Sequence, residues 1–501
     1  MSQQRSPLKA AHRIAAMMLV VLPVIIATAV GSVMVNEPSL PHDPLDWVKV
    51  ALGASLLVFS TLALTFIPRL VKVIWSRPEN EEQRRLLGLL ERLRVKLKSP
   101  ARVMAALAAL VVVVSIGWLV PDDDGLEPGT MVIMSAQDES SQAGARRILV
   151  DQWNRLHPFN QVEFRSAAGE PDAQHKRMVD DAREGGAHEA DVYLLDLVWM
   201  PEFIKMNYIQ PLDESRRQYK DQDGDFIDNV LRTCRDMSGK KPGLWGLPLN
   251  ADAGLLYYAS GAPGGGEVRD WKEYYSSSVN ALHLVDAESL TVAALEAMWA
   301  YGGEVVNRDG APVLSSDGVE FDQNALSALK DLAEIYQTKK ADDVTDAEAA
   351  ATRSFKDGTA WYMRGWPVVY DDLTRSMGGS FEVHRLPHDS VLGGQNLAIS
   401  SSTDSPRASQ ALIEFLTSPS SELILFQLGG FAPTRRYAYQ YATRPYKDAL
   451  ASAVETARYR PVTPNYTTFS RIFRKGILFA LKNGGKYDED FPRELAASLN
   501  P

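Results

Sequence analysis

The chain has 501 residues, enough for about two to four domains of ordinary size. Its 45% hydrophobic and 23% charged content excludes both a disordered chain and one wholly embedded in a membrane. Of 53 Lys+Arg and 63 Asp+Glu, 14 and 11 fall in the first 130 residues, which leaves 39 basic against 52 acidic residues beyond them, a net of −13 that argues against nucleic acid or other polyanions as partners.

Three apolar runs, 14–35, 50–67 and 103–120, crowd the first quarter. Each is near the roughly 17–25 residues a helix needs to cross hydrocarbon. Arg5, Lys9 and Arg13 precede the first run, Glu37, Asp43 and Asp46 follow it, and the loop 68–102 is rich in Arg and Lys. Basic loops stay cytoplasmic, so residues 1–130 read as a three-helix membrane anchor with the N-terminus inside and residues 131–501 outside. A cleavable signal peptide with Ala27-Thr28-Ala29 as its site is the competing reading of the first run. Within the basic loop, EEQRRLLGLLERLRVKLK sets Leu86, Leu90, Leu93 and Leu97 at helical spacing. That suits a helix lying on lipid or facing a partner, or a hairpin whose charges merely fix topology.

From Met131 the pattern alternates. MVIMSA, QVEFRSA and ADVYLLDLV read as strands. SSQAGARRILVDQWNRLH reads as a helix with Ile148, Leu149, Trp153 and Leu156 on one face, and PDAQHKRMVDDAREG as a helix opened by Pro171. The expectation is an α/β domain with a largely parallel sheet and ligands at the carboxyl ends of strands. Asp138 and Asp196 fall at two such ends, and each also suits a helix cap.

Further along, GLWGLPLNADAGLLYY sets Asn250 and Asp252 among leucines, where a carboxylate is costly to bury unless protein donors or a polar ligand satisfy it. Trp366 precedes Pro367 in an apolar stretch, as core or as a face for a ligand ring. Gly393 and Gly394 open an apolar strand and fit either close backbone approach or a bulge. Arg435 follows what reads as one long helix, Pro406–Leu428. Cys234 stands alone, which excludes an internal disulfide and fits a small buried hydrophobe. DQDGDFID at 221–228 has the look of a calcium loop, but Phe226 stands where glycine is required and Arg232 where the terminal glutamate belongs.

The segments DVYLLDLVWMPEF, GLPLNADAGLLYY, LTVAALEAMWAYGGEVV, GTAWYMRGWPVVY, VLGGQNLAISS and FLTSPSSELILFQLGGFAPTR, in this order, resemble the family 1 extracellular solute-binding proteins, the sugar-binding components of bacterial ABC importers. The resemblance implies a two-lobed, periplasmic-binding-protein-like α/β fold with hinge-crossing strands, here preceded by three transmembrane helices. Lobe one would cover about 131–247 and 387–430, and lobe two about 252–386 and 431–497. It implies that Asp252 binds sugar hydroxyls with Asn250 beside it, and that Trp366 stacks on a sugar ring. Gly393 and Gly394 would approach the ligand through backbone, and Arg435 would reach the cleft. Asp138, Asp196 and Glu288 match positions that often contact sugar. Carboxylates, a guanidinium and an aromatic plane are the groups that many hydroxyls and one apolar sugar face require.

Two departures fall near the expected cleft: Gln395 stands where relatives usually carry Trp, and Ala287-Glu288-Ser289 where many have Tyr-Glu-Gly. The glycines 264–266 suit a flexible loop better than a phosphate cradle. The implied function is a membrane-tethered extracytoplasmic protein that captures a sugar or oligosaccharide, without cofactor, metal or catalytic step. It would serve separate ABC permease and ATPase subunits, since the chain has no nucleotide-binding motif. A ligand sensor signalling across the membrane is the alternative. A glycan-acting enzyme using Asp138, Asp196 and Asp252 as acid and base is a third reading.

Overall fold

The computed structural model describes residues 125–499 except 136–143, 168, 219, 263–267, 269–273, 276–279, 283, 312–320 and 339–345. The three apolar runs, the basic loop, Asp138 and the glycines 264–266 lie outside the described residues. Among the described residues no helix is long and apolar enough to cross a membrane. Gly125–Pro501 forms one compact unit.

The strands are β1 (Met131–Ser135), β2 (Val162–Ser166), β3 (Val192–Asp196), β4 (Ile209–Gln210), β5 (Leu247–Asp252), β6 (Leu255–Ala259), β7 (Tyr362–Gly365), β8 (Phe381–Arg385) and β9 (Gly393–Ser400). The longer helices are α1 (Ala145–Leu156), α2 (Pro171–Ala182), α3 (Glu288–Ala300), α4 (Gln323–Thr338), α5 (Ala347–Lys356), α6 (Tyr370–Met377), α7 (Pro406–Leu416), α8 (Pro419–Gly429), α9 (Lys447–Thr456), α10 (Tyr466–Lys482) and α11 (Phe491–Leu499).

One sheet runs β2-β1-β3-β9-β4, with β5 also paired to β9. Only its first part is parallel: β1 pairs β2 and β3 in parallel, whereas β9 is antiparallel to β3, β4 and β5. This corrects the expectation of a largely parallel sheet. The physical reason is the path of the chain, which leaves this lobe through β5 and returns through β9, so the two crossing strands lie side by side in opposite directions. The second sheet, β7-β6-β8, is antiparallel throughout; we call the part of the chain built on the first sheet lobe one and the part built on the second lobe two.

Strand β3 shows why VYLLD is apolar without alternation. Val192 and Leu194 join one core with Ile133, Trp153 and Leu412, while Tyr193 and Leu195 join the other with Met200 and Phe203. Successive side chains point to opposite faces, and here both faces are covered. Helix α1 turns Leu149, Val150 and Trp153 inward but leaves Ile148 40% and Leu156 60% exposed. Its apolar face is therefore narrower than the sequence suggested, and the buried Arg146 shares it. The expected single helix from Pro406 to Leu428 is two. Pro419 offers no amide hydrogen to continue α7, and Ser418 restarts the chain by accepting from the amide of Ser421.

In lobe two, α3 is buried on nearly all sides and packs with α4 and α10, while α11 closes on α10. An all-round apolar helix is a core helix. Its one buried charge, Glu296, accepts from Arg364 at 3.0 and 3.2 Å, from the Ser390 hydroxyl at 2.9 Å and from the Val391 amide at 3.0 Å, which is the satisfaction a buried carboxylate requires.

Candidate functional site

The register of three strands assembles the floor of a cleft. β9 pairs Gln395 with Asp196 of β3 on one side and with Asn250 of β5 on the other. Paired residues share a face of a sheet, so three polar side chains from distant sequence stand in one row at the strand ends. One step on, Asp252 of β5 pairs with Gly393. The cleft above this row contains about 1200 Å³ of empty space, part of it open to solvent.

Arg146 of α1 orients the floor from behind. Its Nη2 donates to Oδ1 of Asn250 at 3.0 Å and to Oε1 of Gln395 at 2.6 Å, and its guanidinium lies 4.3 Å from the centroid of Phe431. With its oxygen so used, Asn250 turns its amide nitrogen to Oδ2 of Asp252, 3.2 Å away. Arg146, Asn250 and Asp252 thus form a directed chain that ends in a carboxylate lining the cleft.

Trp366 forms the facing wall. It follows β7 and precedes Pro367, which holds it extended at φ −79°, ψ 159°. The guanidinium of Arg364 lies 3.6 Å from its ring centroid, and its Nε1 donates to Oε1 of Glu348 at 2.8 Å. Glu348 has exposed surface, yet desolvation by its surroundings pushes its carboxyl above the ordinary value. Nearby Asp346 and Glu170 add to this, while the bond from Trp366 and the charge of Arg364 oppose it. Beyond Trp366 and Glu348 a second, much smaller hollow opens within lobe two, against Tyr274, Tyr275 and His388.

The glycine pair has structural reasons of its own. Gly394 adopts φ +123°, and a Cβ there would stand 2.2 Å from the carbonyl oxygen of Asn250; only glycine permits this approach of β9 to β5. A Cβ on Gly393 would come to 3.5 Å from the tip of the Trp366 ring.

Seven expected residues line the cleft together: Asp196, Asn250, Asp252, Glu288, Trp366, Gly393 and Gly394. Two of them are engaged by a residue the sequence did not single out. Arg460 donates from Nη2 to Oδ1 of Asp196 at 2.8 Å and from Nη1 to Oε1 of Glu288 at 3.1 Å. Burial disfavours its charge, but Asp196, Tyr466 and Glu288 outweigh that and raise its pKa further. Asp196 also accepts from the amide of Val198 at 3.1 Å, so the capping and site readings both hold. Glu288, first residue of α3, takes further hydrogen bonds from Tyr466 and from Ser470.

Arg435 does not reach the cleft, which corrects that expectation. It is 1% exposed, donating from Nε to the Thr417 carbonyl at 2.6 Å and from Nη1 to the Gln222 carbonyl at 3.0 Å. Its guanidinium lies 3.6 Å from the centroid of Phe226. There it ties together loops whose carbonyls have no strand partner, a structural duty. The neighbouring calcium-like loop is likewise used internally: Arg217 forks onto Asp223 with two bonds of 2.6 Å, and Asp225 accepts from the Tyr437 amide. Cys234 is fully buried, and burial raises its thiol pKa far above the ordinary value.

Glu170, Asp346, Glu348, Arg460 and Phe431 also line the cleft and were missed. Phe431 and Arg460 sit in irregular segments without periodic signal, and the acidic residues read locally as helix starts.

The family model described as bacterial extracellular solute-binding protein matches residues 149–455, more than half of the chain. A maltose-bound MalE3 from T. maritima is 23% identical, covers 74% of this chain and 98% of its own, and superposes with a TM-score of 0.62. The GacH receptor of Streptomyces glaucescens is 18% identical, with 74% and 97% covered and a TM-score of 0.61. UgpB from Mycobacterium tuberculosis, in complex with glycerophosphocholine, is 18% identical, with 75% and 99% covered and a TM-score of 0.60. At these identities the likeness is one of fold.

Proposed function

The chain belongs to the bacterial extracellular solute-binding protein family, and from that premise we propose that it captures a sugar or short oligosaccharide in the cleft between its lobes. Membership of a solute-binding family makes the task binding, not catalysis. Asp196, which the enzymatic reading would have used as an acid or base, is already paired with Arg460.

The observation that carries the sugar reading is the conjunction of Trp366 with Asp252 in one cleft. An indole offers the flat apolar surface that one face of a pyranose matches. The carboxylate of Asp252, turned by Asn250, accepts from hydroxyls, and Gln395 and the Gly393–Gly394 backbone supply further polar groups. Two of the similar structures support the same reading, since one holds maltose and the other is in complex with acarbose. On this reading the lobes joined by β5 and β9 close on the solute, and separate permease and ATPase subunits of an ABC importer receive it.

The runs 14–35, 50–67 and 103–120 serve, on this reading, as transmembrane helices that tether residues 131–501 outside the cytoplasm. A tether raises the local concentration of the binding domain at the membrane. The test has two parts. Calorimetric titration of the protein with mono- and disaccharides gives saturable heat, with an affinity that Trp366→Ala lowers by more than about tenfold; binding unaffected by that substitution removes the cleft from the proposal. Alkaline carbonate extraction leaves the chain in the membrane pellet, and release into the supernatant refutes the tether.

A further inference from the structure

The hollow in lobe two opens off the cleft beside Trp366. Ser289, Val292, Ala347, Glu348 and Trp366 line both, so the two spaces adjoin. Inward from these residues the walls are apolar and aromatic, built from Ala293 of α3, Ala351 of α5, Leu386, Tyr274 and Tyr275. The free space is about 70 Å³, against about 150 Å³ for a cavity that takes up benzene. It suits a substituent of about four non-hydrogen atoms and is too small for a second sugar ring.

Two polar atoms in these walls have no hydrogen-bond partner among the described residues. They are Oγ of Ser289, in the first turn of α3, and Nε2 of His388, in the segment between β8 and β9, and both are shut off from water. Arg364 and Glu296 are different, since each satisfies the other. The hydrogen-bond role of His388 follows from its neighbour. Its Nδ1 lies 3.0 Å from the Asp389 carbonyl oxygen, which can only accept, so Nδ1 carries the proton and Nε2 of the neutral ring presents a lone pair. Burial holds the ring below its ordinary pKa against the charge of Glu296. Tyr275 stacks on it, with centroids 6.2 Å apart and planes 12° from parallel. Nε2 therefore lacks a donor, whereas the Ser289 hydroxyl can give a proton or take one.

One small neutral group answers both atoms. An amide N–H is the donor that Nε2 lacks, an amide carbonyl oxygen accepts from the Ser289 hydroxyl, and a short acyl methyl matches the alanines and Leu386 around it. A hydroxymethyl arm brings a donor but leaves much of the space unfilled. A phenyl ring overfills it and brings no N–H or O–H. Resting on the sugar-capture reading above, we infer that the solute is a saccharide with a short acylamino substituent: its ring lies against Trp366, and the substituent enters the hollow, donates its N–H to Nε2 of His388 and accepts from the Ser289 hydroxyl. Both protein atoms lie just under the walls, and rotations of the two side chains about their own bonds turn them towards the substituent.

The test is calorimetric titration of the full-length protein with three matched pairs: glucose and N-acetylglucosamine, galactose and N-acetylgalactosamine, and cellobiose and its 2,2′-diacetamido counterpart. The acylamino member of at least one pair is expected to bind about tenfold or more tightly than its hydroxyl partner. Two substitutions locate the preference. His388→Phe keeps a ring against Tyr275 but removes the lone pair, and Ala351→Leu fills the hollow from α5. Each is expected to bring the ratio of acylamino to hydroxyl affinity close to one. Hydroxyl members that bind as well as their acylamino partners overturn the acylamino inference and leave sugar capture standing. A preference that survives either substitution, in a variant that melts as the wild type does, also overturns it. No heat from any of the six probes overturns both readings.

Discussion

Nη2 of Arg460 lies 2.8 Å from Oδ1 of Asp196, and this contact joins the two lobes across the floor of the cleft. Asp196 ends β3 in lobe one, whereas the Arg460 segment is fixed in lobe two, where Arg458 pairs with Glu304 at 2.8 Å and Val462 bonds Gly310. With Glu288 the pair forms a largely buried triad. Arg460→Ala leaves two carboxylates facing each other without their counter-charge, and breaking such a pair costs about 3–5 kcal/mol. The expected result is a marked fall in the denaturant midpoint of Arg460→Ala, and a smaller fall for Arg460→Lys, which keeps the charge without the fork.

A second link between the lobes sits at the rim. Nη2 of Arg474, on α10, lies 2.9 Å from Oδ2 of Asp172 on α2. Asp172 is half-exposed, so the pair contributes at most about 1 kcal/mol, a factor of roughly five in the balance between closed and open arrangements. Arg474→Ala is expected to raise the mean radius of gyration in small-angle scattering without ligand, and saturating ligand is expected to restore the compact value.

Trp366 can be dissected by two substitutions. Trp366→Ala removes the aromatic wall and is expected to weaken saccharide binding by more than about tenfold. Trp366→Phe retains a smaller plane but leaves the Glu348 carboxylate without its indole donor. Its expected affinity lies between those of the wild type and the alanine variant, as read by titration calorimetry.

Gly394→Ala tests the close approach of the crossing strands. The added methyl meets the Asn250 carbonyl oxygen at 2.2 Å, at a backbone φ of +123°. Backbone strain of this kind costs about 1–3 kcal/mol. The variant is expected to melt several degrees lower and to bind more weakly, because Asn250 also orients Asp252.

The Glu422–Arg435 pair gives a pH dependence. Burial pushes the Glu422 carboxyl up to about 8, against the charge of Arg435 and the bonds from Thr434 and the Arg435 amide. A folded value above the unfolded one favours the protonated form. Its stabilising effect is therefore complete below about 4.5, the unfolded value, and is lost as pH rises through about 8. Thermal unfolding of wild type and Glu422→Gln across this range is expected to show the wild type losing stability relative to the variant as pH increases.

The sequence by itself determined the local elements of the described domain and much of the cleft. The unalternating VYLLD of β3 announced a strand buried on both faces, Pro171 opened α2, and the order of motifs pointed to a two-lobed solute-binding fold. Asn250, Asp252 and Trp366 were legible because polar or aromatic residues stood out among apolar neighbours, and Gly393 because a glycine pair opens an apolar strand. Tertiary structure alone decided which charges meet. Asp196, Gln395 and Asn250 form a row only because β9 returns antiparallel between β3 and β5, pairings that span 199 and 145 residues and leave no local trace. Arg435 looked like a ligand-binding arginine and instead satisfies buried carbonyls, while Arg460, in an irregular segment, supplies the cation at the cleft. Propensity and periodicity act over a few residues, but electrostatic pairing depends on distance in space. A guanidinium's partner is therefore fixed by the packing of the lobes and not by its neighbours along the chain.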